Sequence, residues 1–139
     1  MKTYTLDACA VLAWIFKETG YNVITDLVNK ASDSEISLLM HKVNLLEVYW
    51  KVAERQGKLN ADKMYENLLT TPIQFLNTHS HQFFSEFTKI RLEYGTAFVD
   101  TFVATTNLIH TNNKGTIVTS DPAFKNLQKN KKFHVQFFK

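Results

Sequence analysis

Tyr4-Thr5-Leu6-Asp7-Ala8-Cys9-Ala10-Val11-Leu12-Ala13-Trp14-Ile15-Phe16 decides the reading of the chain. Tyr4-Thr5-Leu6 is a short β-prone run, and the Ala- and Leu-rich residues after Asp7 favour a helix, so a strand passes into a helix at an aspartate. Gly20 interrupts that helix. A second amphipathic segment runs from Tyr21 to about Ala31, with Val23, Ile24, Leu27 and Val28 on one face.

The same alternation continues outward. Glu35-Ile36-Ser37-Leu38-Leu39 reads as a second strand, followed by a helix from His41 to Gln56 with Val43, Leu46, Trp50 and Ala53 at helical spacing and Gly57 as its terminator. Asn60 is placed to cap the next helix, which reaches Leu69 and stops before Pro72. Ile73-Gln74-Phe75-Leu76 reads as a third strand, Ser80 to Tyr94 as a helix ended by Gly95, and Thr96 to about Thr111 as another. Thr116-Ile117-Val118-Thr119 forms a fourth strand, Asp121-Pro122 opens a short helix, and Val135 to Phe138 is a candidate edge strand. Short strands alternating with longer helices imply a parallel sheet covered on both faces, with the functional crevice beyond the carboxyl ends of the strands where strand order reverses. The expectation is one α/β domain over residues 1–139.

Composition agrees. A chain of 139 residues, 45% hydrophobic and 21% charged, supports one core. With 4 Gly and 2 Pro it is neither collagen-like nor a disordered segment. Its single cysteine, Cys9, excludes an internal disulfide and a multi-cysteine zinc site and suits a reducing cytoplasm. Net charge is +3, with Arg55 and Arg91 the only arginines, a surplus too small to diagnose nucleic-acid binding. No apolar run approaches the ~20 residues of a membrane span. Asp7 at the head of the first apolar stretch and Lys17-Glu18 after it argue against a cleaved leader.

Four acids carry the chemistry. Asp7 follows the first strand and Asp121 the fourth, so both belong at the carboxyl edge of the sheet and meet if those strands are neighbours. Taken singly, each is accounted for by helix capping, where Asp is favoured. Asp100 interrupts the nearly apolar Ala97-Phe98-Val99-Asp100-Thr101-Phe102-Val103-Ala104 and shares a face with Ala104 and Asn107; a carboxylate buried there needs cations or donors. Glu47 stands between Asn44 and Lys51 at helical spacing, and an i,i+4 Glu–Lys pair worth ~0.3 kcal/mol accounts for it as well. Carboxylates converging on one crevice repel, and a hard divalent cation such as Mg²⁺ or Mn²⁺ removes that repulsion. Such an ion can activate water against a phosphodiester without a nucleophilic side chain.

The segments Leu6-Asp7-Ala8-Cys9-Ala10-Val11-Leu12, Val43-Asn44-Leu45-Leu46-Glu47-Val48, Phe98-Val99-Asp100-Thr101 and Ile117-Val118-Thr119-Ser120-Asp121-Pro122-Ala123-Phe124 resemble, in order and spacing, the acidic motifs of PIN-domain ribonucleases. In size the chain is similar to the VapC-type toxins of prokaryotic toxin–antitoxin pairs. The resemblance implies a three-layer α/β/α fold with a central parallel sheet of four to five strands. It further implies a Mg²⁺- or Mn²⁺-dependent endoribonuclease with Asp7, Glu47, Asp100 and Asp121 as catalytic residues and metal ligands. Asn44 and Thr119 match supporting polar positions, and the implied role of the Thr119 hydroxyl is a hydrogen bond to an acid, a bound water or substrate phosphate. An RNA substrate, a cognate antitoxin, a homodimer and a cytoplasmic location complete what it implies. The chain departs at Cys9, where many relatives have a hydroxyl residue, at Thr101, where Ala is common, and at Ser120, where a basic residue is frequent. A second reading of the same residues is a PIN-like module that binds RNA or protein without cutting.

Other signals carry less. His79-Ser80-His81 lacks a third zinc ligand, Cys9 lacks a nucleophile signature and reads as a small core side chain, and no glycine-rich phosphate loop is present. Phe83, Phe84 and Phe87 read as core, with an exposed subset the alternative. Lys125, Lys129, Lys131 and Lys132 form a basic run that is either solvated or set against RNA phosphates.

Overall fold

The computed structural model describes residues 1–129 and 132–139; Lys131 of the basic run therefore lies outside the described residues. In chain order the elements are β1 (Lys2–Leu6), α1 (Ala8–Phe16), α2 (Tyr21–Ser32), β2 (Ile36–His41), α3 (Lys42–Gln56), α4 (Lys58–Leu69), β3 (Ile73–Leu76), α5 (His81–Tyr94) and α6 (Phe98–Thr111). They are followed by β4 (Thr116–Thr119), a 3-10 turn (Pro122–Phe124), α7 (Lys125–Gln128) and β5 (His134–Phe137). The strands pair in the order β3-β2-β1-β4-β5, every pair parallel. The chain builds outward from β1 to β3, crosses back to β4 on the other flank of β1, and ends at β5.

Right-handed crossovers place α1 to α4 on one face of this sheet and α5 to α7 on the other. Strand alternation supplies a core to each layer. Leu6, Leu38, Met40 and Val118 pack with Val11, Ile24 and Val48, while Ile117 packs with Val103, Phe124 and Leu127. Each such buried aliphatic contributes about 2 kcal/mol of transfer free energy. The fold is the three-layer α/β/α architecture with five strands.

The elements follow local chemistry with three corrections. α4 starts at Lys58, with Gly57 at its N-cap, so Asn60 is not the cap; its side-chain amide donates to the Gln56 carbonyl instead. A positive φ of 91° lets Gly57 end α3 and begin α4 in one residue, where any Cβ would be strained. α6 starts at Phe98 rather than near Thr96, because Arg91 takes the Thr96 carbonyl at 2.6 Å and the Thr96 and Thr101 hydroxyls bond at 2.6 Å, which leaves Ala97 extended. On α3 the inward stripe is Asn44, Leu45, Val48 and Val52, whereas Leu46 and Trp50 are 63% and 56% exposed. Both stripes have helical period, and packing against α1, α4 and α6 selects between them.

Asn107, fully buried on α6, ties the layers together. Its Oδ1 accepts from the Thr5 hydroxyl at 2.9 Å, and its Nδ2 donates to the Gly115 carbonyl at 3.0 Å. Replacing it with leucine strands both partners in the core. Asn107→Leu should cost about 3 kcal/mol of stability by urea unfolding, from two unsatisfied buried groups.

Candidate active site

Asp7 sits where β1 ends. Its backbone N–H continues the ladder to the Val118 carbonyl at 3.1 Å, so its side chain is fixed at the carboxyl edge, 4% exposed. Oδ1 accepts from the Ala8 N–H at 2.7 Å, which is the capping role. Oδ2 accepts from the Thr119 hydroxyl at 2.8 Å and from the Cys9 thiol at 3.2 Å. β1 and β4 are neighbours, so the fully buried Thr119 lies directly across from Asp7. Thr119 Oγ1 in turn accepts from the Asp121 N–H at 3.0 Å, while Asp121 Oδ1 caps the 3-10 turn through the Ala123 N–H at 2.9 Å. Capping and convergence therefore coexist: one carboxylate oxygen of each aspartate serves the backbone.

Asp100 enters from the first turn of α6 and Glu47 from the second turn of α3, where Lys51 pairs with it at 3.3 Å. Burial raises the Asp100 carboxyl to about 7, assisted by the negative charges of Asp7, Asp121 and Glu47 and by a hydrogen bond with Asp121 that favours the protonated acid. Burial also raises the Asp7 carboxyl; the bonds from Thr119, Cys9 and Ala8 oppose this and the Glu47 charge adds to it. The fold thus brings all four sequence-selected acids, with Thr119, into mutual influence around the end of β1.

Cys9 is half-buried and not simply core packing. It donates to Asp7, contacts Thr119 Oγ1 at 3.4 Å and accepts from the Ser120 N–H at 3.3 Å. Burial and the nearby Asp7 push its thiol up to about 11, so it remains a donor and not a thiolate. In the sequence the one local signal of this role is that Cys9 stands two residues after Asp7. Asn44 Nδ2 donates to the Val99 carbonyl at 3.1 Å and joins α3 to the turn bearing Asp100, while its buried Oδ1 has no hydrogen-bond partner.

The donor set is oxygen-rich, anionic and short of cations, and Asp7 and Asp100 are pushed toward protonation, which is what a hard divalent ion relieves. Among the described residues no three His, Cys, Asp or Glu side chains are drawn into a ready metal cage. Mg²⁺ keeps several of its own waters and takes few carboxylates, so the residues fit such an ion in chemistry though they do not pre-form its shell.

The model of the PIN domain family matches residues 4–130. The chain belongs to the PIN domain family. Among solved structures, this PIN domain is similar to VapBC2 from Rickettsia felis bound to a DNA fragment from its promoter (TM-score 0.72, 16% identity, covering 97% of this chain and 98% of that one). DNA-bound VapBC from Salmonella typhimurium gives a TM-score of 0.72 at 12% identity, with both chains covered completely. PAE2754 from Pyrobaculum aerophilum gives 0.59 at 18% identity, over 96% of this chain and 83% of that one. No curated protein sequence matches. At such identities the likeness is one of fold. No helix among the described residues is long and apolar enough to cross a membrane.

The raised Asp100 carboxyl fixes a pH signature. Its folded-state value lies above the unfolded 3.8, so its contribution to stability is present below that value and is lost as pH rises through about 7. His41 and His110, lowered by burial, act in the opposite direction, so the comparison with a variant isolates the acid. In chelator, Asp100→Asn should melt higher than the parent at about pH 8, and the gap should shrink toward about pH 4. A gap that does not vary with pH would show that the Asp100 carboxyl is not raised in the fold.

Proposed function

We propose that this PIN domain is a metal-dependent endoribonuclease of the VapC type, the toxin of a toxin–antitoxin pair, with RNA as substrate and a cognate antitoxin as partner. The observation that carries the reading is the convergence of Asp7, Glu47, Asp100 and Asp121, from four separate segments, on the switch point between β1 and β4. The likeness to VapBC complexes supports the antitoxin partner, and a homodimer and a cytoplasmic location go with the same reading.

Asp7, Glu47, Asp100 and Asp121 would hold Mg²⁺ or Mn²⁺, which when bound lowers the pKa of an attacking water and neutralises charge growing on the phosphate. The rest is the chain's own work. Thr119 and Cys9 donate to Asp7 Oδ2, fixing its rotamer and orienting its remaining acceptor capacity toward the crevice. The Asp121 backbone is tied to the same hydroxyl, so the two aspartates keep one relative position. Burial holds the Asp100 carboxyl protonated near neutrality, and as a ligand it would have to give up that proton, so metal affinity would depend on pH. Lys51 holds Glu47 in place from the next turn of α3.

The purified protein should cut single-stranded RNA with Mg²⁺ or Mn²⁺. Chelator or Asp7→Asn should lower the rate by about 100-fold or more, the size expected when an electrostatic contribution to the transition state is removed. Calorimetric titration with Mn²⁺ gives a second readout, with uptake by the parent and weaker uptake by Asp7→Asn. Cleavage that survives both treatments would end the reading, and RNA binding with neither cleavage nor Mn²⁺ uptake would favour the non-cutting binding module.

A further inference from the structure

A second feature lies on the same edge of the sheet. Phe83, Phe84 and Phe87 of α5, Phe98 and Phe102 of α6 and His41 at the end of β2 enclose a cavity of about 440 Å³. Only part of this aromatic cluster is core: Phe83 is 1% exposed, whereas Phe84 and Phe98 are 56% and 59% exposed. His41 packs 4.8 Å from Phe102, and its Nε2 lies 3.0 Å from the Thr78 carbonyl. Phe98 stands edge-on to Phe87 at 5.0 Å. No Asp, Glu, Lys or Arg lines the cavity, and burial lowers His41 toward its neutral form. At the rim, on the loop after β3, the Thr78 carbonyl and hydroxyl are engaged by His41 and His110 and the Asn77 carbonyl by His79, which leaves the Asn77 side-chain amide and His79 Nε2 to meet a ligand.

We propose that this pocket is a nucleobase subsite, receiving a base of single-stranded RNA that flanks the phosphate held at the acidic cluster. The inference rests on the RNA-substrate part of the reading above and adds a second point of grip to it. Three features of the structure select a base as the occupant. The lining is flat aromatic surface without charge, which matches the neutral π-face common to every base. The Asn77 side-chain amide, with a donor and an acceptor, can meet the hydrogen-bonding edge of a base, whereas an apolar side chain would leave it desolvated. Third, the topology supplies the spacing. Adjacent strands lie about 4.8 Å apart, so the ends of β2 and β3, which bear His41 and the Asn77–His79 rim, sit about 5 and 10 Å along the carboxyl edge from the end of β1 at Asp7. A strand of RNA following that edge reaches the pocket within one or two nucleotides. The first turn of α6 faces both sites, with Phe98 and Phe102 toward the pocket and Asp100 toward the acids.

Phe84 and Phe98 allow a clean test because both are exposed, so their replacement leaves the core intact. Leucine keeps the hydrophobicity and removes the flat ring; tyrosine keeps the ring. Fluorescence anisotropy with a short labelled single-stranded RNA of mixed sequence, in chelator so that nothing is cut, should show Phe84→Leu and Phe98→Leu each weakening binding by about fivefold or more, with Phe84→Tyr and Phe98→Tyr close to the parent. RNA with one abasic residue beside the scissile position should bind the parent more weakly by a similar factor and lose little further in the double leucine variant. Equal affinities across these proteins, or indifference of the parent to the missing base, would overturn the proposal. So would leucine variants whose only change is altered self-association in sedimentation, since the pocket would then be an interface between copies. The two readings fail separately: RNA held through the rings but never cut removes the nuclease and keeps the pocket, whereas metal-dependent cleavage indifferent to the leucine variants removes the pocket alone.

Discussion

A carboxylate taken out of water at the end of a central strand must be surrounded by donors, shared with a cation, or protonated. Asp7 meets that constraint at 4% exposure, and much of the molecule follows from how it is met. Parallel pairing of Leu6 with Val118 places Thr119 opposite Asp7, where its hydroxyl bonds the carboxylate and also anchors the Asp121 backbone. The chain must therefore return to the far flank of β1 after building β2 and β3. That reversal creates the switch point and delivers α6, with Asp100 in its first turn, to the same place. Asn107, further along α6, fastens that helix to Thr5 of β1, so the register of one helix against one strand sets the geometry of the whole cluster.

Two helices at this edge have double roles. α3 turns Asn44, Leu45 and Val48 inward and carries Glu47 at the margin, leaving Leu46 and Trp50 outside. α6 presents a carboxylate to one side of its first turn and two phenylalanines to the other. The edge is divided accordingly into an anionic end over β1 and β4 and an uncharged aromatic end over β2 and β3.

Much of the fold was legible because its signals are local. Strand-to-helix changes of period and Gly57 and Gly95 as terminators act within a few residues, and α3 and α5 end where those signals put them. Failures came where two local solutions were equally good. α3 has two apolar stripes of the same period, and the choice between them belongs to its neighbours. Asn60 is a fair cap, but Gly57 can begin the helix three residues earlier because it alone tolerates the left-handed φ. Cys9 read as core because a thiol is usually a small apolar group there; its contacts with Thr119 and Ser120 depend on a segment more than a hundred residues away. The aromatic pocket escaped notice because its walls come from α5, α6 and the end of β2, and nothing in the local pattern separates Phe83, which is buried, from Phe84, which is not.

By itself the sequence determined the alternation of strand and helix, the parallel sheet, and the presence of acids at the carboxyl ends of two strands, since periodicity, capping and chain direction are properties of neighbouring residues. The tertiary structure alone decided that β1 and β4 are partners, that Asp100 sits among three other carboxylates and is driven toward protonation, and that the aromatic cluster of α5 and α6 is part core and part cavity wall. Burial and the Coulomb interaction depend on distance in space, and separation along the chain does not fix that distance.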